Sequence, residues 1–250
     1  MRPHRLLALL LVFAMMMSLS ACSSREIAVE DAEPDEETSD ALNSDEPDEK
    51  VSTERIYAAY REIVREREET YGIGARSLDC PDSEICWMYG VACVRLRDLD
   101  GDGVEELLLW ENTLTDNQPN MAQIEVWTYT NGTTVELYCG SPCFGGDISG
   151  QSLELLTCEG EMLLVTGTAA GEINLEYYGI RNGKMIRVHT LKDNTNDHTV
   201  CNYDEQQISS EEARKIVTAS VSLCNACVMT TADAADILRE TEQTRITLGM

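Results

Sequence analysis

The chain has 250 residues, 26% of them charged, and a formal net charge of −26 from 45 acidic against 19 basic side chains. That balance excludes a nucleic-acid binder, because a phosphate backbone demands clustered Lys and Arg, and it excludes electrostatic docking onto anionic lipid headgroups. It favours solubility and the capture of divalent cations.

Residues 1–21 fall into three zones: a basic start with Arg2 and Arg5, an apolar stretch from Leu6 to Met17, and a small-residue exit at Leu19-Ser20-Ala21. That order predicts an export signal. The apolar stretch is shorter than the roughly 20 residues a spanning helix needs. Leu19-Ser20-Ala21-Cys22 resembles the lipobox of bacterial lipoproteins. The resemblance implies acylation of the Cys22 thiol, cleavage just before it, and attachment by lipid to the extracytoplasmic face of the membrane. An ordinary signal peptide whose cleavage site is followed by Cys is the plainer alternative.

Residues 22–50 carry Glu30-Asp31, Asp35-Glu36-Glu37, Asp45-Glu46 and Asp48-Glu49, with Pro34 and Pro47 and few apolar side chains. Such a segment cannot bury enough surface to offset chain entropy, so a disordered acidic tether is expected.

Residues 51–250 predict a single α+β domain. Ser52 or Thr53 caps a helix in which Ile56, Tyr60, Ile63, Val64 and Tyr71 recur at helical spacing, and Gly72-Ile73-Gly74 ends it. Ala92, Val94 and Leu96 alternate as a strand, and Leu107 to Trp110 is a second, short apolar one. Hairpins are expected around Asn131-Gly132, Glu159-Gly160 and Asn182-Gly183. Ser209 with Glu212, and Thr230 with Asp233, are capping-box patterns before two C-terminal helices. The expected fold is therefore an N-terminal helix, an antiparallel β-meander carrying one Asp-rich loop, and two closing helices.

That loop is Asp98-Leu99-Asp100-Gly101-Asp102-Gly103-Val104-Glu105-Glu106. Calcium takes six to eight oxygen ligands, and alternate Asp residues in a tight loop direct carboxylates inward. Asp98, Asp100 and Asp102 are the candidate first ligands, the Val104 carbonyl a fourth, and Glu106 the closing carboxylate. An EF-hand wants Glu at the twelfth position, which here is Leu109. With Glu at the ninth position and strands on both sides, the loop resembles those of FG-GAP and VCBS-type repeats. It is also similar to an element of uncharacterised lipoproteins from anaerobic bacteria. The resemblance implies a structural Ca²⁺ site, and an acidic surface turn that binds no ion is the alternative.

Ten cysteines leave an odd number once Cys22 is set aside. Cys80 with Cys86, and Cys139 with Cys143, have the spacing of local disulfides, and Cys224 with Cys227 forms a CxxC. Cys93, Cys158 and Cys201 remain. Disulfides mixed with buried thiols are expected, ahead of a redox CxxC or a zinc site built from Cys139, Cys143, Cys224 and Cys227. Catalytic signals are weak: His189 and His198 lack metal-ligand spacing, and there is no GxSxG, HExxH or P-loop. A non-enzymatic module that recognises an extracellular ligand or envelope protein is the leading expectation. Trp87, Trp110 and Trp127 are then the candidate contacts, or else core. An envelope hydrolase with an unrecognised carboxylate site and a purely structural lipoprotein are the alternatives.

Overall fold

Helix α1 (Thr53–Tyr71) buries Ile56, Tyr60, Ile63 and Val64 along one face, and Gly72 ends it at a φ of 86°. This is from a computed structural model, which describes Ser52 to Met250 except residues 77–85, 113, 116–117, 120–121, 146–149, 159, 170–171, 194–199, 226 and 229–230. For 114–115, 118–119, 145, 150, 225, 227–228 and 231 the backbone alone is described. The expected export segment, Cys22, the tether, Cys80, His198, Thr230 and the Cys227 side chain lie outside the described residues.

After α1 the chain presses against a strand: Val91 N–H donates to the Gly72 carbonyl at 2.9 Å, and Ile73 bridges Val91 in parallel. The first sheet contains β1 (Ala75–Arg76), β2 (Cys86–Arg97) and β3 (Glu106–Asn112). A small separate hairpin follows, β4 (Leu114–Thr115) with β5 (Gln118–Pro119). β6 (Gln123–Thr130) and β7 (Thr133–Gly140) then complete the antiparallel order β1-β2-β3-β6-β7. Asn131 and Gly132 turn β6 into β7 with φ of 52° and 82°, the left-handed pair that matches strand twist.

The second sheet contains β8 (Cys143–Gly145), β9 (Gly150–Cys158), β10 (Glu161–Thr168), β11 (Asn174–Arg181), β12 (Lys184–Asp193), β13 (Val200–Tyr203) and β14 (Gln206–Ser209). Successive members from β9 to β14 pair antiparallel, and β8 lies against both β10, in parallel, and β9. Helix α2 (Ser210–Thr218) follows, then β15 (Val221–Asn225), which pairs with β9, and β16 (Cys227–Val228), which returns to β2. Helix α3 (Thr231–Thr247) closes the fold. Ser209 and Glu212 form the capping box at α2, with reciprocal bonds of 3.2 Å and 2.9 Å.

The α+β class stands, but the single meander divides into two sheets, and two strands separate the closing helices. The physical reason is that β15 and β16 are short and pair far away in sequence, so no local turn announces them.

Alternation along β3 explains the layering. Leu107 and Leu109 join Val94, Leu96 and the apolar face of α1 in one cluster. Leu108 and Trp110 join Met88, Ile124 and Val126, and meet Leu153, Leu155 and Leu164 of the second sheet. Leu163 and Val165 face the other way, with Tyr177, Leu191 and Ala213 of α2. The layers therefore run α1, first sheet, second sheet, α2. A strand covered on both faces needs a continuous apolar run, which is why Leu107 to Trp110 does not alternate.

Candidate metal centre

The acidic loop joins β2 to β3 and is shaped by its own carboxylates. Asp98 accepts from Gly101 N–H through Oδ1 at 2.7 Å and from Gly103 N–H through Oδ2 at 3.0 Å. Asp100 accepts from Asp102 N–H at 3.2 Å, and Asp102 from Val104 N–H at 2.7 Å. Gly101 and Gly103 take φ of 77° and 88°, a conformation disfavoured for residues with a side chain.

Glu106, the first residue of β3, is 1% exposed and turns back into the loop. Its Oε2 accepts from Leu99 N–H at 2.8 Å and its Oε1 from Thr128 Oγ1 at 3.1 Å. Burial, opposed by these two bonds and aided by the Asp100 and Asp102 charges, pushes its carboxyl up to about 7. Burial, with the Asp102 and Asp98 charges, also raises Asp100.

Asp98, Asp100 and Glu106 each place a carboxylate oxygen within 4.8 Å of the other two, and this group can hold a metal ion. Asp102 does not belong to it; its carboxylate caps the backbone at Val104 instead. Helix α1 braces the exit of the loop, where Tyr57 Oη donates to Glu105 Oε2 at 2.7 Å and Tyr60 Oη to the Glu105 carbonyl at 2.9 Å. Leu99 is buried, and its carbonyl accepts from Met162 N–H of β10 at 3.4 Å, so the loop touches both sheets. Thr128, Tyr57 and Tyr60 were not legible as partners of the loop, because they come from other elements.

A second carboxylate pair lies under α1. Arg67 Nε donates to both oxygens of Glu125 at 2.9 Å, Trp127 Nε1 donates to Oε2 at 2.8 Å, and the guanidinium lies 5.7 Å from the Trp127 ring centre. Glu111 neighbours this pair, and neither of its carboxyl oxygens has an aligned hydrogen-bond partner. Burial first, then the Glu125 charge, push Glu111 up to about 8. At 0% and 2% exposure, neither carboxyl reaches solvent.

Of the candidate aromatic contacts, Trp110 is fully buried between the sheets and is core; Trp87 and Trp127 are half-buried. A groove of about 430 Å³ opens where β7 meets β10 and β11, with Tyr138, Pro142, Phe144, Asn174, Glu176 and Tyr178 among its walls. The Tyr138 and Tyr178 rings stand 5.5 Å apart, tilted by 56°, and Tyr178 Oη donates to Glu176 at 2.8 Å.

In this structure none of Cys86, Cys93, Cys139, Cys143, Cys158, Cys201 and Cys224 is disulfide-bonded. Gln123 Nε2 donates to Cys139 Sγ at 3.1 Å, and Cys143 is hydrogen-bonded to Glu154. Among the described residues, no cysteine cluster has metal-binding geometry. Cys224 and Cys227 sit on strands that pair with different sheets, not at a helix start, which removes the setting a redox CxxC needs. His189 lies on β12, 2.9 Å from Asp204 and stacked on Tyr203. Compared with known proteins, the chain matches no family model, no curated sequence and no solved structure.

Proposed function

We propose that this chain is an exported bacterial lipoprotein, lipid-anchored through Cys22, whose domain is stabilised by calcium and recognises a ligand or protein without turning over a substrate. The observation that carries the metal assignment is the convergence of Asp98, Asp100 and Glu106. Three carboxylates at this separation repel one another, and a hard divalent cation relieves the repulsion. The donors are all oxygen, which suits calcium better than zinc. In the FG-GAP-like reading, Asp102 and the Val104 carbonyl complete the ligand set. Calcium bound there supplies positive charge that fixes the loop between the two sheets.

The groove beside Tyr138 and Tyr178 supports ligand recognition, because aromatic walls with a few polar groups are the usual make-up of a binding cleft. Glu111, whose carboxyl is raised, and its neighbour Glu125 are buried from solvent, which argues against a hydrolase at that position.

Calorimetry on the purified chain tests the metal: calcium heat with a dissociation constant of about 10⁻⁴ to 10⁻³ M is expected. No heat and a melting temperature indifferent to EDTA would sink it. For the anchor, Cys22→Ala should move the protein from the membrane fraction to the soluble one. An unmodified Cys22 in the wild type would overturn that part.

A further inference from the structure

Cys93 on β2 and Cys224 on β15 come from opposite sheets. β2 belongs to the first sheet, where Cys93 pairs with Trp110 of β3. β15 is the edge of the second, where Cys224 pairs with Leu153 of β9. Both side chains enter the same core cluster between the sheets, at 0% and 1% exposure, and their thiols are hydrogen-bonded to each other. More than half of the chain lies between them.

We propose that Cys93 and Cys224 form a disulfide that staples the two sheets across the core. Two observations support this pairing over those suggested by spacing. The two thiols share a hydrogen bond, so their side chains point toward each other, whereas cysteines whose Cβ vectors diverge cannot be bridged. Cys143 is engaged by Glu154, Cys139 by Gln123, and Cys201 by Ser210, so each of these has a different neighbour.

The bond forms as the two sheets come together in folding, when the thiols are near each other and oxidant still reaches them. With glutathione disulfide as oxidant, one cysteine thiolate attacks it and expels a glutathione thiolate. The second cysteine thiolate then attacks the mixed disulfide and expels another. One S–S bond replaces two S–H bonds, and the two protons go to the two glutathione thiolates. In the cell, the staple rests on the exported location proposed above, because such bonds persist in oxidising compartments. The pairing itself does not, so the test is made in vitro.

The purified chain, reduced and unfolded, is refolded in a glutathione redox buffer, blocked with N-ethylmaleimide, digested and analysed by mass spectrometry. The expected result is a dominant cross-linked peptide joining Cys93 to Cys224. Both cysteines carrying N-ethylmaleimide, or Cys224 joined to Cys227 or any other partner, would overturn the proposal. Cys93→Ser, Cys224→Ser and the double variant should each lose the response of stability to reductant, which in the wild type is a change on the order of 10²- to 10³-fold in the unfolding equilibrium. Variants that keep the wild-type response would overturn it as well.

Discussion

Glu111 and Glu125 stand on neighbouring strands under the same helix, yet their environments treat them oppositely. Glu125 receives the Arg67 fork and the Trp127 indole N–H, while Glu111 is buried beside it, facing the Glu125 carboxylate and the Tyr71 hydroxyl with no cation of its own. With its carboxyl pushed up to about 8, Glu111 keeps its proton in the folded state at neutral pH and loses it in the unfolded state. The folded state then binds more protons between the ordinary carboxylate range and pH 8, so this group's contribution to stability falls as pH rises across that window, by up to about 1.4 kcal/mol per pH unit. Glu111→Gln should flatten that slope and raise stability near pH 8, with little effect near pH 4. Denaturant melts of both proteins across pH 4–9 check this, and parallel profiles would contradict it. At the same scale, Asp100→Asn removes a charge from the converging group, while its side chain still offers an oxygen to Asp102 N–H. Calcium affinity should fall on the order of tenfold or more, with the fold in chelator unchanged.

At the scale of elements, the crossing of the α1 exit over β2 is the tightest junction. Gly90 adopts a φ of 71°, and a Cβ there would meet the Ile73 carbonyl oxygen at 2.5 Å; a Cβ on Gly74 would collide with the Val91 carbonyl. The obstructing atoms are backbone atoms in hydrogen-bonded chain, so they cannot swing aside. Gly90→Ala should therefore cost more than about 1 kcal/mol of unfolding free energy, measured by urea denaturation. Gly160, also at positive φ but open on all sides, should cost less when replaced by Ala. For α2, Ser209→Ala removes the capping box, and about 1 kcal/mol of stability should go with it.

For the whole molecule, the acidic loop acts where the layers meet. It joins β2 to β3 of the first sheet, buries Leu99 in the core between the sheets, and bonds to Met162 of the second. An ion that fixes the loop therefore resists separation of the sheets, so its removal should lower the melting temperature of the domain as one transition. At a calcium concentration about 100 times the dissociation constant, mass action gives about 2.7 kcal/mol. For a domain of this size that corresponds to roughly 5–10 °C, readable by scanning calorimetry with calcium and with EDTA. Magnesium at the same concentration should give a smaller shift, because it demands a stricter octahedron and holds its water more tightly.

Local chemistry by itself determined much of this. The Asn-Gly turns, the helix from Thr53 to Tyr71, the Ser209 capping box and the curl of the Asp98 loop each follow from residues close in sequence, whose hydrogen bonds and backbone preferences need no distant partner. The acidic motif was likewise legible, because its spacing alone aims Asp98 and Asp100 into one turn. Only the tertiary structure decided the rest. It split the strands into two sheets, made Trp110 core, and supplied Thr128 and α1 as supports. It also buried Glu111 beside Glu125 and brought Cys93 to Cys224. These are long-range pairings between elements, set by which apolar faces can be buried together, and no local pattern encodes which face meets which.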